Sequence, residues 1–449
     1  MSQLRPLVRL AMPVAISQVS DMVTVAADTI MVGRVGTLPL AAVTLGNSIT
    51  IIGLLFAVGF TIAITPLAGT AYARRDMVDM ARQVKSGSIV SGGMAVLITT
   101  VLLMLSLFLD RFGAPADVVV LARPFYIWIV LSILPRIGFG LFKQTAEAMS
   151  NTRVALIVSI AGNLTNVALN WVFIYGNFGM PAMGAAGAGL ATFLSRVLMV
   201  AIVLWIFMSS PFFLRLRAAL RSTIHTPLRH LKESFDMGFP IAGQIVLEIA
   251  AFALGAVMMG WLGAVSLAAH QVAMNLAGFT FMVALGIGSA ATIRISHFRG
   301  LQDRDNLKSA GKAALLLVLG YNVVTAIVFL TLRHWLPTWY STDPEVIDLA
   351  SHLLVFAGMF QLFDGVQCVG LGILRGMADV RVPTLLSLVA YGCISLPVSY
   401  LCAFTLGMGP GGIWIGYLVG LMTAAVAYVI RFRMLAGRPL PMEPSAAGH

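Results

Sequence analysis

The sequence predicts an all-α integral membrane protein of twelve transmembrane helices, arranged as two pseudo-symmetric six-helix lobes. Three observations carry that prediction. Of 449 residues, 59% are hydrophobic and only 10% charged. A soluble domain has about 25% charged residues, so this chain cannot clothe a water-facing surface. The basic residues gather in alternate connections between apolar stretches. The chain also repeats itself at an offset of 227 to 228 residues. A β-barrel is excluded, because barrel strands alternate apolar and polar positions and residues 51–60 and 313–319 are apolar on every side. Helices satisfy their own backbone hydrogen bonds in lipid.

Each apolar stretch can cross a hydrocarbon core of about 30 Å. The first span is expected at 8–33, between Arg5 and Arg9 and the Gly33-Arg34-Val35-Gly36 turn. Asp21 and Asp28 interrupt it and a copy follows later in the chain, so it is read as a span and not a cleavable leader. The second, 41–70, stops before Arg74 and Arg75, and the third, 86–109, starts after Arg82 and Lys85. The fourth is expected at 122–148, the fifth at 154–176 after Arg153, and the sixth at 186–209. A basic linker at about 210–235 holds Arg215, Arg217, Arg221, Arg229 and Lys232. It reads as a topology determinant on an anionic leaflet, with a lipid or partner surface as the other reading. The seventh span is expected at 236–260, the eighth at 268–292 and the ninth at 313–336 after Lys312. The tenth is expected at 346–374, the eleventh at 382–405 and the twelfth at 412–432, the last after Gly407-Met408-Gly409-Pro410. Glycine and proline mark most of the turns.

Alternate connections plus the two ends hold 23 of the 29 Lys and Arg, with Arg375 and Arg381 counted among them. Both termini are therefore expected in the cytoplasm, which requires an even number of spans. The net charge of +11 is explained by this asymmetry, and no nucleic acid partner is expected. Cys368, Cys393 and Cys402 all fall inside predicted helices and suggest no disulfide framework.

A shift of 227 brings Pro13 onto Pro240, Gly33 onto Gly260, Gly59 onto Gly286 and Asp76 onto Asp303. A shift of 228 brings Arg153 onto Arg381 and Gly179 onto Gly407. The halves are expected at 1–220 and 228–449. Six spans per copy make the repeats parallel, and such repeats place a substrate cavity at their interface.

Four carboxylates fall well inside spans: Asp21, Asp28, Glu248 and Asp364. Each costs roughly 2.5–3.5 kcal/mol at a helix centre, so such residues usually face a cavity. A carboxylate that exchanges a proton for sodium or an organic cation is the simplest basis for antiport. The competing reading pairs the acids with the intramembrane bases Arg136 and Arg196. Asn166 and Asn170, one turn apart, and Thr192 on the next helix offer neutral oxygens near Asp28, or else simply bond helix to helix. The 24 Met, 25 Phe and 7 Trp suit a soft aromatic cavity for organic cations. There is no P-loop, metal-ligand His/Cys cluster or catalytic triad pattern, so no enzyme activity and no cofactor are expected. The driving force is then an ion gradient, with sodium or protons as the coupling ion.

The stretches Pro13…Asp28-Thr29-Ile30-Met31-Val32-Gly33, Thr65-Pro66, Asn170-Trp171-Val172-Phe173-Ile174-Tyr175-Gly176, Phe178-Gly179-Met180-Pro181 and Asp343-Pro344-Glu345-Val346 together resemble the multidrug and toxic compound extrusion (MATE) family, in its bacterial NorM branch. The resemblance covers almost the whole chain. It implies a V-shaped pair of lobes in the bacterial inner membrane, acting as a monomer that exports cationic amphipathic drugs and dyes by alternating access. It implies a cation site at Glu248 and Asp364, with sodium as its metal. It implies a proton or sodium site at Asp28, Asn166, Asn170 and Thr192. Gln271 and Asp343 match positions near bound cation or drug, and with Asp21 they are expected at the substrate cavity. Phe281 and Phe360, also expected there, stand where such members often carry tyrosine. A phenyl ring offers no oxygen ligand, though its face can attract a cation; the loss weakens strict sodium coordination and strengthens the case for proton coupling, with sodium still the first expectation. A flippase for lipid-linked oligosaccharide, found in related branches, is the alternative; its cavity should be cationic.

Overall fold

The computed structural model describes residues 3–223 and 225–439; the rest of the expected second lobe, 440–449, lies outside the described residues. Twelve helices are long and apolar enough to span a membrane. They are α1 Leu4–Gly33, α2 Thr37–Ala73, α3 Met77–Phe112, α4 Ala116–Ala148, α5 Thr152–Tyr175 and α6 Ala185–Ser209. The second six are α7 Leu228–Trp261, α8 Ala264–Gly300, α9 Arg304–Thr331, α10 Pro344–Gly376, α11 Arg381–Thr405 and α12 Pro410–Gly437. No β-strand occurs among the described residues.

The helices run beyond the apolar stretches because their basic flanks stay helical. Asp76 caps α3 by accepting the Asp79 amide at 2.8 Å, and Asp303 caps α9 by accepting that of Asn306 at 3.1 Å. An acid at this position satisfies amides that have no intrahelical partner. The ninth span, expected at 313–336, therefore starts nine residues earlier and ends at Thr331. The linker expected at about 210–235 is itself largely helical. It forms a helix, Leu214–Ser222, that buries Leu216 and Ala219 against α2 and α3, and α7 already begins at Leu228. Lys85 donates to the carbonyl of Thr223 and ties the linker to α3.

Proline breaks three spans internally. Pro66 has no N–H for the Ile62 carbonyl, and α2 is interrupted at Ala63. Pro135 does the same to α4 at Ser132. In α11, π-helical turns at Leu388–Ser395 and Leu401–Thr405 flank Pro397. Such widened turns commonly mark functional positions.

Packing repeats at an interval of six helices. The pairs α1–α5, α2–α4, α4–α6 and α5–α6 recur as α7–α11, α8–α10, α10–α12 and α11–α12. The two sets meet through α1 on α8 and α2 on α7. These two contacts are equivalent under the repeat. A Cβ on Gly59 would strike the Ala242 backbone, and one on Gly286 would lie 2.8 Å from Cβ of Ala15; Ala15 and Ala242 are themselves repeat mates. Gly69 abuts Ser296, its own mate, and so marks the pseudo-twofold axis. Hydrogen bonds across this seam, among the described residues, lie at the end carrying the basic connections: Thr70 to the Ser296 carbonyl at 3.4 Å, Ser86 with Ser234 at 2.9 Å, His297 with the Ala148 carbonyl at 2.7 Å. At the opposite end the two sets separate. Beyond Met22, Phe56, Phe239 and Gly278 they share no described hydrogen bond or ring contact, and α1 buries no residue between Ser17 and Val32. The result is a cleft open away from the basic end.

Candidate functional site

The first polar cluster joins three helices beside the cleft. Asn170 of α5 donates Nδ2 to Oδ1 of Asp28 on α1 at 2.5 Å, and to Oδ1 of Asn166 at 3.2 Å. Asn166 in turn donates to Thr192 Oγ1 of α6 at 3.4 Å. Asn170 is 0% exposed, and its own Oδ1 has no partner. Asp28, Asn166, Asn170 and Thr192 thus form one continuous set of oxygens with acceptor capacity to spare, the arrangement a hard cation or a proton needs.

Asp21, two turns away, is held differently. Arg136 of α4 reaches its Oδ2 at 3.4 Å, and Asn163 donates to its Oδ1 at 2.9 Å. The pairing of an acid with an intramembrane base holds here. Arg196 donates to Ser132 Oγ at 2.6 Å and lies in electrostatic reach of both Asp21 and Asp28.

The second cluster lies in the other bundle. Glu248 of α7 and Asp364 of α10 are in electrostatic reach of each other, and Arg375 and Tyr391 also face Glu248. Tyr391 arrives there from the π-helical stretch of α11. Gln367, one turn past Asp364, is 1% exposed with neither amide atom partnered. Arg375, expected in a cytoplasmic connection, occupies the last turn of α10 and donates to Gln244 Oε1 at 3.1 Å. Gln244 donates onward to Ser387 Oγ at 2.8 Å. An apolar flank concealed Arg375 less than its neighbour Arg381 did, since a Lys/Arg run at a helix end reads as a loop.

At the floor of the cleft, on the axis, is a cavity of about 250 Å³. Repeat mates face each other across it: Thr65 and Thr292, Gly140 and Cys368, Glu147 and Arg375. Arg136 and Lys143 also line it, giving three bases and one acid. Glu147 is 2% exposed and its Oε1 is unpartnered. Glu147 ends a span, where a charge is ordinary, and the signal that marks it is its match to Arg375 at the 228-residue shift.

Four expected cavity residues are not drawn into either cluster by hydrogen bonds. Phe360 is 3% exposed and packs edge-on against Phe252 and Trp414. Phe281 is half-buried against the α8–α10 core. Gln271 is exposed near the start of α8. Asp343 is exposed and caps α10, accepting the Glu345 amide at 3.0 Å. Among the described residues no group of three or more His, Cys, Asp or Glu could hold a metal ion.

Twelve helices long and apolar enough to span a membrane, in a doubled arrangement with an acid-bearing polar cluster in each bundle, define a polytopic membrane protein. The MatE family model matches the chain twice, at residues 13–172 and 240–401. Two relatives named multidrug resistance protein MdtK are each 31% identical. That of Edwardsiella ictaluri (strain 93-146) aligns over 97% of this chain and 96% of its own. That of Yersinia pseudotuberculosis serotype O:1b (strain IP 31758) aligns over 99% and 98%. Among solved structures, a mutant of the Vibrio cholerae MATE transporter VcmN matches with a TM-score of 0.87 at 20% identity, over 98% of each chain. A MATE family transporter of the MOP superfamily in an outward-facing conformation matches at 0.86 and 17%, over 96% of this chain and 95% of the other. The chain belongs to the MatE family.

Proposed function

We propose that this protein is a secondary active multidrug efflux transporter of the bacterial inner membrane. It exports cationic amphipathic compounds in antiport with sodium or protons, and its two lobes, 1–220 and 228–449, rock to give alternating access. Both termini lie in the cytoplasm and the monomer is the working unit. The observation that carries this reading is the placement of one carboxylate cluster in each bundle, Asp28 with its asparagines and Glu248 with Asp364. A carboxylate in hydrocarbon is stable only if something neutralises it, and a coupling ion that comes and goes can do so. The MdtK relatives support multidrug efflux and do not favour the flippase reading.

The test is transport by the purified protein in proteoliposomes loaded with ethidium, with sodium and pH gradients imposed separately. Efflux driven by one gradient and not the other names the coupling ion. Efflux indifferent to both sinks the antiport.

A further inference from the structure

At the basic end, where α1, α5, α8 and the linker meet, a pocket of about 550 Å³ is lined by Arg5, Arg9, Arg153 and Arg294. No carboxylate lines it. Arg5, Arg9 and Arg153 are exposed, and their side chains form no ion pair or hydrogen bond among the described residues. Arg294 donates to Gln3 Oε1 at 2.6 Å, while its Nε is buried without a partner.

The repeat shows what is missing. Arg153 falls on Arg381, which donates to Asp236 at 2.9 Å. The mate of Asp236 is Arg9. The second bundle thus neutralises its arginine internally, and the first replaces the acid with another arginine. The start of α5 adds to the positive field. Asn151, in the N-cap position, makes no side-chain capping bond, so the first amides of this 24-residue helix stay available to an anion. Leu10 and Phe212 supply an apolar side to the same pocket.

We propose that this pocket binds the phosphate of an anionic phospholipid headgroup. A phosphodiester can receive several guanidiniums at once, and basic pockets between spans at the cytoplasmic surface suit such headgroups. Apolar Leu10 and Phe212 at the pocket favour a lipid over free phosphate, because an acyl chain can lie along them. Arg5, Arg9 and Arg153 belong to the first bundle and Arg294 to the second. The headgroup therefore bridges the closed seam and stabilises the conformation in which the basic end is shut.

The full-length protein is placed in phosphatidylcholine nanodiscs with and without cardiolipin or phosphatidylglycerol, and retained lipid and Tm are measured. Wild type should retain the anionic lipid and show a raised Tm. Arg9→Asp rebuilds the acid of the mirror site. It should match the wild-type Tm in phosphatidylcholine alone, lose the increment, and bind anionic lipid roughly tenfold more weakly or worse. Arg153→Gln should lose the increment as well. Either variant responding to anionic lipid like wild type overturns the site. Inorganic phosphate in phosphatidylcholine discs giving the full increment overturns the lipid as its occupant.

Discussion

Asp21 and Asp28 occupy one helix two turns apart, yet their surroundings divide them. Asp21 has Arg136 and Asn163 as fixed partners, whereas Asp28 has one asparagine and open oxygens beside it. Asp28→Asn should therefore abolish coupled efflux, and Asp21→Asn should slow it by less than about tenfold, since a carboxamide keeps the Asn163 bond and only a part-exposed ion pair is lost. Glu248→Gln and Asp364→Asn should each stop ethidium efflux with normal membrane insertion. Full efflux in both would remove the second cluster from the coupling path. Much of this was legible in the sequence, because acids and asparagines in an apolar span are costly enough to announce themselves. Arg375 and Glu147 were not. Both sit within one turn of a span end, where charge is ordinary and hydropathy carries no information about whether a side chain turns inward.

Among the elements, the helix starts were the least legible. Charged turns such as those holding Lys308 and Lys312 have no hydropathy signal, and the cap that starts them is a single side chain. Asp76 and Asp303 make the same cap in mirrored positions, so Asp76→Ala and Asp303→Ala should each lower stability by about 1 kcal/mol in thermal unfolding of the solubilised protein. The Asp303 deficit should depend on pH. The side-chain and backbone donors of Asn306 hold its carboxyl below the ordinary value. That contribution is complete above the ordinary carboxylate pKa and disappears as pH falls through the lower folded-state value. Wild type and Asp303→Ala should converge in Tm in acid, and a gap that persists there would contradict the cap assignment. The proline breaks in α2 and α4 were readable in principle, since each lies three residues before its proline. The linker helix was hidden by its arginines, which mask an apolar stripe of only Phe213, Leu216 and Ala219.

For the whole molecule, the repeat was the most legible feature and the seam the least. A constant offset needs no geometry, but only the structure shows that Gly59 meets Ala242 while Gly286 meets Ala15. Glycine there lets two backbones touch, and leucine at either position would hold them apart. Gly286→Leu should shift the protein away from the form closed at its basic end. Spin labels on the α2–α3 and α8–α9 connections should then report a longer, broader distance distribution than wild type. An unchanged distribution would mean that the seam is not where the two bundles part.

The depth of the cleft has an electrical consequence. On the proposed orientation, with the basic end in the cytoplasm, water entering as far as the cavity at Arg136, Lys143, Glu147 and Arg375 would carry the outer potential down to that floor. The voltage would then fall mainly across the closed seam beyond that cavity, toward Thr70 and Ser296, and not across the full bilayer. A cation reaching the floor does little work against the field. On the proposed alternating access, the work, about 2.3 kcal/mol per elementary charge per 100 mV, would be done when the bundles rock and the same four side chains pass from one side of the focused field to the other. Charge movement should accordingly accompany the conformational step and not the binding step, so the resting potential of the cell acts on this protein as a bias on its orientation.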